Sequence, residues 1–123
     1  MTQAPNPSAL YRLLGADDWR AAQADGLVPF NADDRRDGFM HLSTGGQVLE
    51  TARRYYQGRK DVLALEIDPG AVEGEIRYEL APKRGELFPH LYGDLPVSAV
   101  RRAQALFLRE DGAFVFAGDG GAE

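Results

Sequence analysis

The segment "VLALEID", Val62 to Asp68, does most to limit what this chain can fold into. In an extended chain Leu63, Leu65 and Ile67 share one face, and Glu66 and Asp68 take the other. That period of two marks a strand with one buried face. Pro69 and Gly70 end it, and "EIRYEL", Glu75 to Leu80, repeats the pattern. There Ile76, Tyr78 and Leu80 point one way and Arg77 and Glu79 the other. The alternation predicts a core that includes Leu63, Leu65, Ile67, Ile76 and Tyr78, joined by Met40 and Leu42 from an earlier apolar run.

Around these strands the chain reads as follows. "LYRLL", Leu10 to Leu14, is a short strand. "GADDWRAAQADG" is a short helix capped by Asp17 or Asp18, carrying Trp19, Ala22 and Leu27, with Gly26 near its end. "NADDRRDG", Asn31 to Gly38, is a polar loop, and "FMHLS" is a strand. "TGGQVLETARRYYQGRK" is the strongest helix, with Val48, Ala52, Tyr55 and Tyr56 near one face and Gly58 as a stop. "FPHLYGDLP" reads as a loop, and Val97 to Leu108 as a long strand, with a short helix within Val97 to Gln104 as the alternative. "REDG" then turns the chain into a returning strand, "AFVF". The sum is α+β, a split and mostly antiparallel sheet with one or two main helices and no regular βαβ repeat.

A chain of 123 residues is expected to form a single domain over 1–123, structured over about 9–117, with mobile tails at "MTQAPNPS" and "GDGGAE". The 44% apolar and 27% charged composition is that of a globular protein able to build a core without staples. It has no cysteine, which excludes disulfides, thiolate–zinc sites and thiol nucleophiles. A net charge of −5 argues against broad binding to nucleic acid or anionic lipid. No apolar run approaches the ~18 residues of a membrane span. The N-terminus lacks the pattern of a signal peptide. The expectation is a cytoplasmic protein, monomeric or weakly dimeric.

Both histidines of the chain stand in apolar runs, His41 in "DGFMHLST" and His90 in "LFPHLYGDL". With Met40 and Leu42 in the core, alternation puts Phe39, His41 and Ser43 together on the opposite face, as a cleft floor. A half-buried histidine bonded to backbone is the plainer reading for one such residue; a second makes it less persuasive. His90 and Tyr92 offer an imidazole and a phenol with one residue between them, suited to proton transfer, phosphate binding or ring stacking. Arg77 and Glu79 form either a functional or a solvated pair.

Metal chemistry finds no ligand cluster and no H-E-x-x-H. A serine hydrolase would want a G-x-S-x-G elbow, which Ser43 lacks. "STGGQ" is no dinucleotide fingerprint, but its hydroxyls and glycines before a helix make an anion site or a plain N-cap by Ser43 or Thr44.

"DGFMHLST", the helix with "ARRYY", "VLALEID", "IRYE" and "LFPHLYGDLPVSAV" together resemble domain of unknown function family 952, over roughly Leu10 to Phe116. The resemblance implies a compact fold of the ADP-ribosyltransferase-like group, whose split sheet grips NAD without a Rossmann motif. By position, Tyr11 to Leu14 would lie beside the nicotinamide pocket, supplying Arg12, and "HLST" would contribute His41, Ser43 and Thr44. Glu79 and Glu86 are the candidates for a catalytic glutamate. Neither the thioredoxin-like pattern nor the all-helical half of a glutathione transferase is visible.

The resulting expectation is a protein that binds NAD, ADP-ribose or another phosphorylated nucleotide. Its catalytic residues would be His41, Glu79 and His90, and its ligand contacts Arg12, Ser43, Thr44, Arg77 and Tyr92. NAD would be a substrate or ligand, glycosidic cleavage or transfer at the nicotinamide ribose the reaction, and no metal is called for. The alternative is a non-catalytic module binding a metabolite or a protein on the same fold.

Overall fold

A computed structural model describes residues 9–117. Five antiparallel strands make the larger sheet: β1 (Leu10–Gly15), β3 (Ser43–Thr44), β4 (Val62–Ile67), β7 (Val100–Leu108) and β8 (Phe114–Phe116), in the order β3-β1-β4-β7-β8. A smaller antiparallel sheet has the order β2-β6-β5, from β2 (Met40–His41), β5 (Glu75–Ala81) and β6 (Glu86–Tyr92). Three helices accompany them among the described residues: α1 (Ala16–Asp25), α2 (Ala32–Asp37) and α3 (Val48–Tyr55). The expected α+β architecture with a split, mostly antiparallel sheet is present.

The larger sheet is covered on both faces. Leu10, Leu14, Leu65 and Ile67 meet Met40 and Leu91 of the smaller sheet and Ala22 of α1 in one core. Tyr11, Leu13, Val62 and Ala64 pack against Val48 and Ala52 of α3 and Phe114 and Phe116 of β8 in the other. This two-sided burial corrects the reading of β4 as half-polar: Glu66 is buried on the α3 side, where Arg102 donates to it at 2.9 Å and the Tyr11 phenol at 3.5 Å. Tyr78 is corrected the other way. The β5–β6 hairpin outruns the core beyond the Ile76–Leu91 pair, leaving Tyr78, Leu80 and Leu87 54%, 59% and 56% exposed.

Several local expectations change with context. "NADDRRDG" is a helix, because Asn31 and Asp34 form a reciprocal capping box and Gly38 closes it at φ +86°. Asp17 and Asp18 lie within the first turn of α1, and Gly15 is its N-cap. Neither Ser43 nor Thr44 caps α3; the Gln47 side chain folds back and accepts the Thr44 N–H at 3.0 Å. Tyr55 is exposed, and only Val48 and Ala52 of the predicted helix face are buried. "FPHLY" is no loop but the end of β6, the central strand of the smaller sheet. The "FMHLS" strand divides at Leu42, with β2 in one sheet and β3 in the other. Val97–Ala99 is a 3₁₀ turn leading into β7.

Candidate functional site

On β6 the side chains of Phe88, His90 and Tyr92 alternate with Pro89 and Leu91. Leu91 enters the core, so His90 and Tyr92 face outwards from it. His90 pairs in register with His41 on one side and Arg77 on the other. The two imidazoles stand edge-on with centroids 5.6 Å apart. Phe39 lies over His90 at 3.9 Å, nearly parallel, and is 4.7 Å from His41 and 5.3 Å from Tyr92. It covers His90, which is buried, while the His41 side chain is 35% exposed.

Glu79 organises one half of this face. Its Oε1 accepts from His90 Nδ1 and from the Tyr92 hydroxyl, each at 2.8 Å. A carboxylate only accepts, so the bond assigns the neutral ring's proton to Nδ1 and leaves Nε2 a lone pair. Among the described residues nothing bonds Nε2. The His90 bond first, then the Tyr92 bond, hold the Glu79 carboxyl below its ordinary range, and the same contact pushes the Tyr92 phenol up. Arg77 lies over the Tyr92 ring at 4.4 Å and bonds Glu75 at 3.0 Å.

Two aspartates organise the other half. His41 Nδ1 meets Asp34 at 2.7 Å and Nε2 meets Asp37 at 2.9 Å. Each nitrogen of the His41 ring thus faces a carboxylate oxygen. Asp34 is buried against Arg12, whose Nη2 and Nη1 reach it at 2.6 and 3.2 Å. The backbone N–H groups of Asn31 and His41 also donate to it, at 2.9 and 3.0 Å. Burial pushes the Asp34 carboxyl up, but the bonds from His41 and Arg12, the Arg12 charge and the Asn31 N–H outweigh it and leave it well below the carboxylate range. Asp37 is lowered to about 2, chiefly by its bond from Arg36.

The structure therefore brings His41, Glu79, His90, Tyr92 and Arg77 together. It separates Arg12, Ser43 and Thr44 from them. Arg12 is interior and acts on the face only through Asp34 and the His41 carbonyl, to which it donates at 3.0 Å. Ser43 follows the chain into the larger sheet, where its hydroxyl donates to Thr51 at 3.2 Å. The expected sharing of polar work between Ser43 and the histidines is corrected by that crossing. Glu86 accepts from Gln47 at 3.2 Å. Sequence reasoning missed Asp34 and Asp37; the Asn31-x-x-Asp34 capping box before Gly38 was the available signal.

A cavity of about 160 Å³ opens beside β1, lined by Arg12, Gly15, Asp18, Phe30, Tyr56 and Arg59 among others, and a groove of about 410 Å³ runs along Phe107 to Asp111. Neither is lined by His41 or His90. Among the described residues no group of three or more His, Asp or Glu side chains is placed to hold a metal ion. No helix there is long and apolar enough to cross a membrane.

This fold and its paired-histidine face define a small α+β protein of a recognisable class. The chain belongs to the family described as proteins of unknown function (DUF952), which it matches over residues 13–103. It is similar to CC0527 from Caulobacter crescentus, a structural-genomics target: the crystal structure is 35% identical with a TM-score of 0.79, covering 88% of this chain and 94% of that one. The solution structure of CC0527 is 36% identical, with a TM-score of 0.74 and coverage of 85% and 90%. No curated protein matches the chain.

Proposed function

We propose that the outer face of the smaller sheet is a ligand site for NAD, ADP-ribose or another phosphorylated nucleotide, on a fold of the ADP-ribosyltransferase-like group. The observation that carries this reading is the Glu79–His90–Tyr92 constellation. One carboxylate oxygen fixes an imidazole and a phenol, and His90 Nε2 is left to accept a proton beside a second imidazole. A bonding pattern that fixes one tautomer prepares a general base. Phe39 and Tyr92 supply aromatic surface for a base or nicotinamide ring. Arg77 supplies positive charge for phosphate.

Glycosidic chemistry follows from the same groups. The bond from the ribose anomeric carbon to nicotinamide breaks, with its electron pair leaving on nicotinamide. Glu79 Oε2, which nothing bonds among the described residues, stabilises the positive charge on the ribose ring. Water or an acceptor hydroxyl attacks the anomeric carbon and passes its proton to His90 Nε2.

Thermal-shift measurements with NAD, ADP-ribose, ADP and AMP test the binding. A ligand present at 100 times its Kd stabilises the native state by ~2.7 kcal/mol. The expected result is a raised melting temperature in wild type that His90→Gln and Glu79→Gln both diminish while remaining folded. A panel that leaves the wild-type melting temperature unchanged at millimolar ligand overturns the nucleotide reading.

A further inference from the structure

Among the described residues the smaller sheet ends in a long strand, β5, with no partner on its outer side. The other outer strands, β2, β3 and β8, have two, two and three residues, whereas β5 has seven. Native proteins blunt long edges with Lys, Pro or bulges, because a free row of N–H and C=O groups templates another strand. β5, "EIRYELA", contains no Lys or Pro and pairs with β6 without a register shift. Its Tyr78 and Leu80 are among the most exposed large apolar side chains described.

Which backbone groups are free follows from Pro89. Tyr78 lies opposite Pro89, which has no N–H and whose C=O accepts from Leu42 N–H on the far side at 3.1 Å. Tyr78 and Pro89 are thus a non-hydrogen-bonded pair of the β5–β6 ladder. Alternation then directs the N–H and C=O of Ile76, Tyr78 and Leu80 outwards, and those of Arg77 and Glu79 inwards to β6.

We propose that β5 pairs antiparallel with β5 of a second copy of this chain, across a two-fold axis at Tyr78. That register sets Tyr78 opposite Tyr78 of the partner copy and Ile76 opposite its Leu80, all with outward backbone groups, so each pair exchanges hydrogen bonds. It sets Arg77 opposite Glu79 of the partner copy, in the non-hydrogen-bonded positions where cross-strand side chains come closest. No like charges face each other. A shift of the register by one residue would set outward backbone groups against inward ones. The interface is isologous, as a closed dimer requires. It brings a second Arg77 to each Glu79, so the partner copy contributes a cation at the edge of the histidine face.

Light scattering across a concentration series, on the full chain, reads the assembly. Wild type is expected to rise from the 13.5 kDa of one chain to twice that mass. Tyr78→Pro removes an outward N–H that serves no bond among the described residues, and an edge strand tolerates it; this variant is expected to stay at the single-chain mass with unchanged circular dichroism. A trapping experiment checks the register independently of that variant's folding. The chain has no cysteine, so Tyr78→Cys offers one thiol. Opposed positions at about 5.5 Å between Cα atoms lie within disulfide reach. Oxidation should convert it to a covalent dimer far faster than Tyr55→Cys, an exposed control on α3. A wild type that keeps the single-chain mass at every concentration overturns the proposal. So does a dimer that persists in folded Tyr78→Pro, or trapping at 78 no faster than at 55.

Discussion

At the scale of single residues, Asp34 is the junction of the histidine face with the interior. It holds His41 through both the ring and the backbone N–H, and it neutralises Arg12 where water does not reach. Removing one partner of a buried ion pair strands the other charge and costs ~3–5 kcal/mol. Asp34→Asn is therefore expected to lower stability by about that much at pH 7, measured by denaturant titration. The sign of its pH dependence follows from the depressed carboxyl. A group whose folded pKa lies below its unfolded value, ~3.9 for Asp, stabilises fully above that value. Its contribution is lost as pH falls through the folded value. The gap between wild type and Asp34→Asn should narrow as pH drops below ~4. Asp37 and Glu50, each lowered to about 2 by neighbouring arginines, titrate in both proteins and cancel in the difference. A gap independent of pH would show that Asp34 does not carry its charge into the folded state.

At the scale of elements, alternation told which side chains share a face, but not how far the core extends beneath it. Leu65 and Tyr78 were read alike, and the structure makes them opposites, one fully buried and one half-exposed. Leu65→Ala is expected to cost ~2–5 kcal/mol and Tyr78→Ala to stay within about 0.5 kcal/mol at protein concentrations dilute enough to keep the chain single. Equal losses would mean that the hairpin tip packs on the core. β1, β4, β5, β7, β8 and the helix carrying Val48 and Ala52 were legible because each has a period or a turn signal of its own. β6 was hidden by Pro89, a residue that central strands normally exclude. It is tolerated because its missing N–H faces β2 rather than β5, at the point where β2 ends. The convergence of the two histidine runs was legible as polar groups in apolar company. Asp34 was not, because "ADDRRD" reads as a solvated run until Arg12 is set beside it. Ser43 was misjudged for a related reason: alternation assumes one sheet, and the chain changes sheets at Leu42.

At the scale of the whole molecule, the two sheets are unequal in support. The larger has core on both faces, and β4 lies between β1 and β7. The smaller has core on one face only, the proposed ligand groups on the other, and, among the described residues, β5 free at its edge. Elements with fewer buried contacts open at lower free energy, and binding surfaces are drawn from them. Amide hydrogen exchange is therefore expected to rank Ala64 and Leu65 among the slowest amides and β5 among the fastest of the strands. Within β5 the ranking should alternate. Arg77 and Glu79 donate inwards to β6 and exchange slowly in dilute solution, whereas Ile76, Tyr78 and Leu80 have no acceptor among the described residues. Raising the protein concentration should slow the amides of Ile76, Tyr78 and Leu80 selectively, because only those groups meet the second copy. Their protection should appear over the same concentrations at which the mass doubles, and should be absent in Tyr78→Pro. Uniform slowing along the strand would instead indicate that association stabilises the hairpin as a whole through some other surface. Free exchange at Tyr78 in a sample whose mass has doubled would place the contact between copies elsewhere on the molecule.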